Sequence, residues 1–200
     1  MHAIEHLFSG DLKRRAVLGL ALAALLLPGC GKNRVVLDVD VRSFMNESEL
    51  TQSYPDMPAG VGGELKLDPT RINLVEGYQD FGKAEEATID ISLRFDNTSG
   101  SGRATFTLYL SETDSTESTL LTAANQVDPY IEANLVPNTP TTSQVHIRAD
   151  QRLLDLFTSK EMWMGVKISW QPLSSQEVLS GSYTITALDA RVVSTLDLFN

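Results

Sequence analysis

Side chains able to act as nucleophiles, bases or soft metal ligands are scarce in this 200-residue chain, which has one cysteine and three histidines. Cys30 follows an apolar run, residues 16–27, and two helix breakers, Pro28 and Gly29. Its sulfur is a soft nucleophile open to alkylation, but a lone thiol closes no intramolecular disulfide and makes no thiolate metal site. His2 and His6 stand near the start of the chain. His146 sits in Ser143-Gln144-Val145-His146-Ile147-Arg148. Val145 and Ile147 face one way in such a strand, so His146 shares the opposite, solvated face with Gln144 and Arg148. A catalytic role for it requires a nucleophile brought close by the fold.

Aromatic and acidic residues supply the other candidates. Trp163 opposes the apolar row of its own strand, and Tyr109 does the same on another. Exposed rings of this kind can stack on a sugar, which makes Trp163 and Tyr109 candidate ligand-binding residues; the structural alternative is that they cover a sheet edge or pack under a crossing segment. Asp38 and Asp40 share a strand face, Asp96 opens a glycine-rich stretch, and Glu112 and Asp114 lie near a turn. Asp38, Asp40 and Asp96 are candidate metal ligands, since calcium takes about six to eight oxygens, several of them carboxylate. Their spacing matches no EF-hand loop, and a solvated acidic face is the simpler account of them. Carboxylate pairs also drive glycoside hydrolysis. The sequence contains no Gly-x-Ser-x-Gly, no phosphate-binding glycine loop and no His-Glu-x-x-His. No catalytic residue is assigned and no cofactor is implied.

The start of the chain has an order of its own. Lys13, Arg14 and Arg15 precede the twelve-residue apolar run, and small residues follow it. A membrane-spanning helix needs about 20 apolar residues. Basic, then apolar, then small is the order of a secretory signal peptide. Leu27-Pro28-Gly29-Cys30 resembles a bacterial lipobox, with Pro28 a less common second residue. The resemblance implies that residues 1–29 are cleaved, that Cys30 carries a thioether-linked diacylglycerol, and that its freed amino group is a further acylation site. Each buried methylene then contributes about 0.8 kcal/mol, and more than one chain holds the protein stably to a bilayer. Arg14-Arg15-Ala16-Val17-Leu18 also resembles a twin-arginine export motif, which implies folding before export. Gly31 stands where aspartate resembles an inner-membrane retention signal, so in a Gram-negative cell the resemblance implies the outer membrane.

Removing residues 1–29 leaves 171 residues, enough for one domain with a substantial core. Three basic and two acidic residues leave with the leader. Thirteen basic residues then face twenty-four acidic ones, a net charge of −11. Such a surface repels nucleic acid and anionic membrane.

Period-two alternation dominates the rest. Residues 35–41, 89–95, 104–110 and 162–170 each set an apolar row against a polar one. Shorter strands are expected at Leu65 and Leu67, at Ile72 and Leu74, and over residues 130–136 up to Pro137. Tyr183, Ile185 and Ala187 form one row and Leu188, Ala190 and Val192 the other, which predicts a bulge near Ala187. Residues 96–102 read as a hairpin loop and residues 138–140 as a turn. Leu153, Leu154, Leu156 and Phe157 after Asp150 predict a short capped helix over residues 151–158, crossing one end of the molecule. Residues 44–63, rich in proline and glycine, read as a long loop.

The expectation is an all-β antiparallel sandwich of about eight or nine strands over residues 35–200, with a closed barrel as the alternative. Residues 30–34 would be the lipidated cysteine and a short tether. The function expected is a non-catalytic binding or bracing role on the bacterial cell envelope, attached to the membrane through the lipid, with an envelope protein or glycan as partner and no nucleic acid. The alternatives are a carbohydrate-binding module and a carboxylate-dependent polysaccharide hydrolase.

Overall fold

The computed structural model of the chain describes residues 33–73, 82–159, 161–173 and 177–196. The leader, Cys30 and Leu74 lie outside the described residues. Two five-stranded antiparallel sheets pack on each other, with ten strands among the described residues. The first sheet runs β1 (Asn33–Asp40), β10 (Leu179–Leu196), β5 (Ala84–Ser99), β8 (Thr139–Arg148), with β2 (Thr51–Met57) also on β10. The second runs β3 (Gly63–Lys66), β9 (Glu161–Pro172), β6 (Gly102–Ser111), β7 (Gln126–Leu135), with β4 (Thr70–Asn73) also on β9. Each sheet therefore has one long strand flanked on the same side by two short ones. The sheets stay separate, which makes this a sandwich and not a barrel.

The predicted apolar rows face each other across the interior. Ile89, Ile91, Leu93 and Phe95 of β5 are buried, as are Ala104, Phe106, Leu108 and Leu110 of β6 and Met162, Met164, Val166, Ile168 and Trp170 of β9. Each large side chain removed from water contributes roughly 1.5–3 kcal/mol. In β10 the pairing with β5 slips between Ile185 and Ala187, so Tyr183 and Ile185 before the slip and Leu188, Ala190 and Val192 after it all point inward. The expected bulge is there, and it lets one strand of 18 residues serve the whole core.

A helix, α3 (Gln151–Thr158), carries the chain from β8 in one sheet to β9 in the other. Asp150 caps it, its Oδ1 accepting from the Leu153 N–H at 2.9 Å. Leu153, Leu156 and Phe157 are buried beneath it, and Arg152 donates to the carbonyls of Leu110 and Gln126 in the second sheet.

Two expectations are corrected. Residues 44–63 are not one long loop: a helical turn, α1 (Glu47–Leu50), leads into β2. That strand sits at a sheet edge and buries only Tyr54 and Met57 among its described side chains, so its sequence shows no apolar alternation. Residues 96–102 are not a hairpin loop. β5 continues to Ser99 and β6 begins at Gly102, but the two strands belong to opposite sheets. The two-residue turn crosses the sandwich, and Gly100 has φ +67° with the Val178 carbonyl where a Cβ would stand. Asn97 turns inward there, accepting from the Tyr54 hydroxyl at 2.8 Å and donating to the Gly100 carbonyl at 2.6 Å. Loop composition alone does not separate a hairpin from a sheet-to-sheet crossing, because both need the same positive-φ residues.

Candidate functional site

The candidate carboxylates lie on the outer face of the first sheet, and they do not converge. Asp38 is opposite Arg191, 3.5 Å away; Asp40 pairs with Arg42 at 3.0 Å; Asp96, far along β5, pairs with Arg94 at 2.8 Å. Each is neutralised by its own arginine, and the pairing raises the basicity of Arg42 and Arg94. No group of three or more histidine, cysteine or acidic side chains among the described residues is placed to hold a metal ion.

Register assembles a different acidic group. Asp40 of β1 is directly opposite Asp189 of β10, which is opposite Asp90 of β5, which is opposite His146 of β8. Three carboxylates in one cross-strand row repel one another. Burial, then the charge of Asp40, push the Asp189 carboxyl above the usual carboxylate range, against an opposing pull from Arg42 and with a lesser push from Asp90. His146 lies on the outer face as expected, its Nδ1 2.6 Å from Asp90 Oδ1. The row could not be read from the sequence, because it depends on the slip at Ala187 and on which strands are neighbours.

Trp163 and Tyr109 share the outer face of the second sheet, but they form no open platform. Trp163 is half-buried. Tyr109 is 3% exposed, a correction to the exposure expected for it. The β6–β7 connection, with its helical turn α2 (Glu117–Leu120), folds back over this face. Leu120 and Leu121 lie against Gly165, directly opposite Tyr109, and the Lys167 ammonium stands 5.9 Å from the centre of the Tyr109 ring. Ser111 Oγ donates to Asp114 Oδ2 at 3.0 Å and Asn125 Nδ2 donates to the same oxygen at 2.8 Å; Lys66 pairs with Glu117 at 2.9 Å. Asp114 is thus a fastener for this connection. Counting strand alternation missed the cover because it comes from a segment between strands.

Between the sheets lies a cavity of about 20 Å³, the space of one small molecule of water, lined by apolar side chains including Val41, Leu110, Phe157, Met164 and Leu188. Water gains nothing in such a lining.

The two ends of the sandwich differ in charge. At one end the chain enters β1, opposite Leu196, and α3 and the β6–β7 connection bring Glu112, Asp114, Glu117, Asp150 and Asp155. At the other end lie the β2–β3, β5–β6, β7–β8 and β9–β10 connections, which share one ionisable residue, Glu177. Exposed aliphatic side chains occupy these tips: Val61 54%, Val136 51%, Leu173 62% and Val178 45%. Leu173 and Val178 flank the Gly100–Ser101 turn. The Leu173 N–H donates to the Ser101 carbonyl, Ser99 Oγ donates to the Val178 carbonyl, Leu135 pairs with Gly102, and Gly62 abuts the Trp170 carbonyl. Sequence reading missed this end, since the four residues lie in three separate connections.

No known protein family matches the sequence, and no curated protein does. Solved structures with some likeness include one of infectious bursal disease virus Gx strain, at 14% identity and TM-score 0.43, covering 84% of this chain and 38% of that one. A carbohydrate-binding module specific for non-crystalline cellulose, CBM28, is 12% identical with TM-score 0.31, covering 64% of this chain and 72% of its own. The Eiger TNF of S. frugiperda is 4% identical with TM-score 0.31, over 76% and 95%. The sandwich assignment rests on the two sheets themselves, and none of these likenesses assigns a function.

Proposed function

We propose that this chain is a lipid-anchored protein of the bacterial cell envelope whose β-sandwich binds or braces a partner without catalysing a reaction. The observation that carries this reading is the polarity of the molecule. β1 begins at Asn33, three positions after Cys30, at the end of the sandwich opposite the sparsely charged loop tips. A tether at Cys30 leaves that loop end pointing away from the anchoring bilayer. The residues that support anchorage are Leu27-Pro28-Gly29-Cys30 and the basic and apolar stretches before them. In a Gram-negative cell the membrane would be the outer one.

The test is mass spectrometry of the protein extracted from membranes. The expected product begins at Cys30 and carries a thioether-linked diacylglycerol. Cys30→Ala is expected to move the protein from the membrane fraction to the soluble fraction or to leave it unprocessed. A free thiol at Cys30 with residues 1–29 still attached overturns the reading.

A further inference from the structure

We propose that the outer face of the second sheet binds a carboxylate at Lys167, and that the ligand carrying it is an acidic sugar. Lys66 of β3, Lys167 of β9 and Thr107 of β6 are opposite one another in a single cross-strand row. Like charges so placed repel each other. Glu117 answers Lys66 at 2.9 Å. Lys167 is half-buried, and among the described residues its ammonium has no carboxylate partner and no hydrogen bond, only the Tyr109 ring 5.9 Å away. Lys83, Arg103 and Arg148 also lack an ion pair among the described residues, but they are exposed to water. Thr107, directly opposite Lys167, is 5% exposed, and its hydroxyl makes no hydrogen bond among the described residues either. The fully enclosed polar side-chain atom without a partner among those residues is Trp170 Nε1, so the Thr107 oxygen still opens to the surface. A half-buried cation and an adjoining buried hydroxyl, both unsatisfied in a chain of 26 acidic and 16 basic residues, are completed by an incoming anion.

The next row decides the rest of the ligand. Glu64, Ser169, Thr105 and Glu132 are opposite one another in turn, and none of these side chains makes a hydrogen bond among the described residues. Two hydroxyls between two carboxylates match a body bearing hydroxyl groups and offer nothing apolar to a peptide side chain. The flanking carboxylates also limit the ligand to one negative charge, which favours a carboxylate over a phosphate dianion. An acidic sugar meets both conditions: its carboxylate accepts from Lys167 and Thr107, and its ring hydroxyls donate to Glu64 and Glu132. On the side of the β6–β7 connection the site is closed by the Lys66–Glu117 pair and by Leu120 and Leu121 against Gly165. The site deepens the binding role given above and rests on it only for the sugar being one of the cell envelope.

The experiment titrates trigalacturonate, and galactotriose as its neutral counterpart, into the full chain by calorimetry. The expected result is one saturable site for trigalacturonate and binding of galactotriose weaker by about ten-fold or more. Lys167→Met is expected to weaken trigalacturonate binding about ten-fold and Thr107→Val about three-fold, the loss of a charged and of a neutral hydrogen bond. Lys167→Arg keeps the charge on the same face and should retain most of the affinity. Arg148→Met, which removes a cation from the outer face of the first sheet, should leave it unchanged. Acetate is expected to compete with trigalacturonate, and inorganic phosphate to compete less; this arm needs no variant and holds even where a substitution prevents folding. No saturable binding, equal binding of the neutral sugar, the same loss in Arg148→Met as in Lys167→Met, or stronger competition by phosphate than by acetate overturns the proposal. Mass analysis of Cys30 in the same preparation reports the anchored reading separately, so a lipidated chain that ignores trigalacturonate sinks the site alone.

Discussion

Asp189 shows how a side chain on a wet strand face can work against the fold that displays it. Its carboxyl is opposite two others, Asp40 and Asp90, and burial with those charges raises its pKa above 3.8. The folded state therefore holds this proton more tightly than the unfolded state. The associated stability is present below the unfolded value near 3.8 and is lost as pH rises through the raised folded value. Asp189→Asn is expected to raise the melting temperature at pH 7, by a gain of about 0.3–0.5 kcal/mol given the solvent screening at this exposed site. The gain should shrink towards zero in melts below pH 4. The Tyr54 phenol has the same sign at the other end of the pH scale. Burial, then the Asp96 charge, push it up to about 12, so its contribution is present below pH 10 and lost as pH rises through about 12. Tyr54→Phe removes the hydroxyl that donates to Asn97 and leaves that buried oxygen without its donor, at a cost of about 1–2 kcal/mol in urea denaturation. The variant should also lose less stability than the parent between pH 9 and pH 12.

The helix α3 closes one end of the sandwich and is short enough for its cap to matter. It has two turns, and its start is held by one side chain, Asp150. Asp150→Ala is expected to cost about 1 kcal/mol of stability in urea denaturation with the slope unchanged, since the buried face of Leu153, Leu156 and Phe157 keeps the element docked. The crossing turn at the opposite end has no helix. It is held by Asn97 from within and by a glycine at positive φ where a Cβ would meet the Val178 carbonyl. Between these ends, the bulge at Ala187 keeps β10 in register with the core over its whole length.

The molecule as a whole is tied together by β5 and β10, which pair along nearly their full lengths and reach from the chain entry to the loop tips. Neither end can unfold without breaking that ladder. Thermal unfolding is therefore expected to give one transition, with coincident curves from the far-ultraviolet signal and from the near-ultraviolet signal of Trp170, which is packed 5.3 Å from Tyr54 and 6.4 Å from Tyr183 near the loop end. Separate midpoints for the two signals would show that the ends are independent. The asymmetry of charge also belongs to the whole molecule: acidic groups gather at the end where the chain enters, and the opposite end is almost free of them.

Much of the architecture was legible in residue order alone. Strands over residues 89–95, 104–110 and 162–170, the helix over 151–158 with its Asp150 cap, and the bulge near Ala187 are local events, set by period-two or helical spacing and by capping chemistry within a few residues. β2 was not legible, because an edge strand that buries so few side chains carries no apolar period. The fate of each candidate residue was not legible either. Alternation told which side of its own strand Tyr109 faces, but the connection that covers it is closed by an Asn125–Asp114 bond of its own and tied down by Lys66 from β3. Register between strands decided that Asp40, Asp189, Asp90 and His146 form one row while Asp38 and Asp96 stand elsewhere. Sheet pairing decided that the three connections carrying Val61, Val136, Leu173 and Val178 lie at one end of the sandwich. Sequence determines what each segment buries against water; only the closed fold decides which exposed groups become neighbours, because that depends on contacts between segments far apart in the chain.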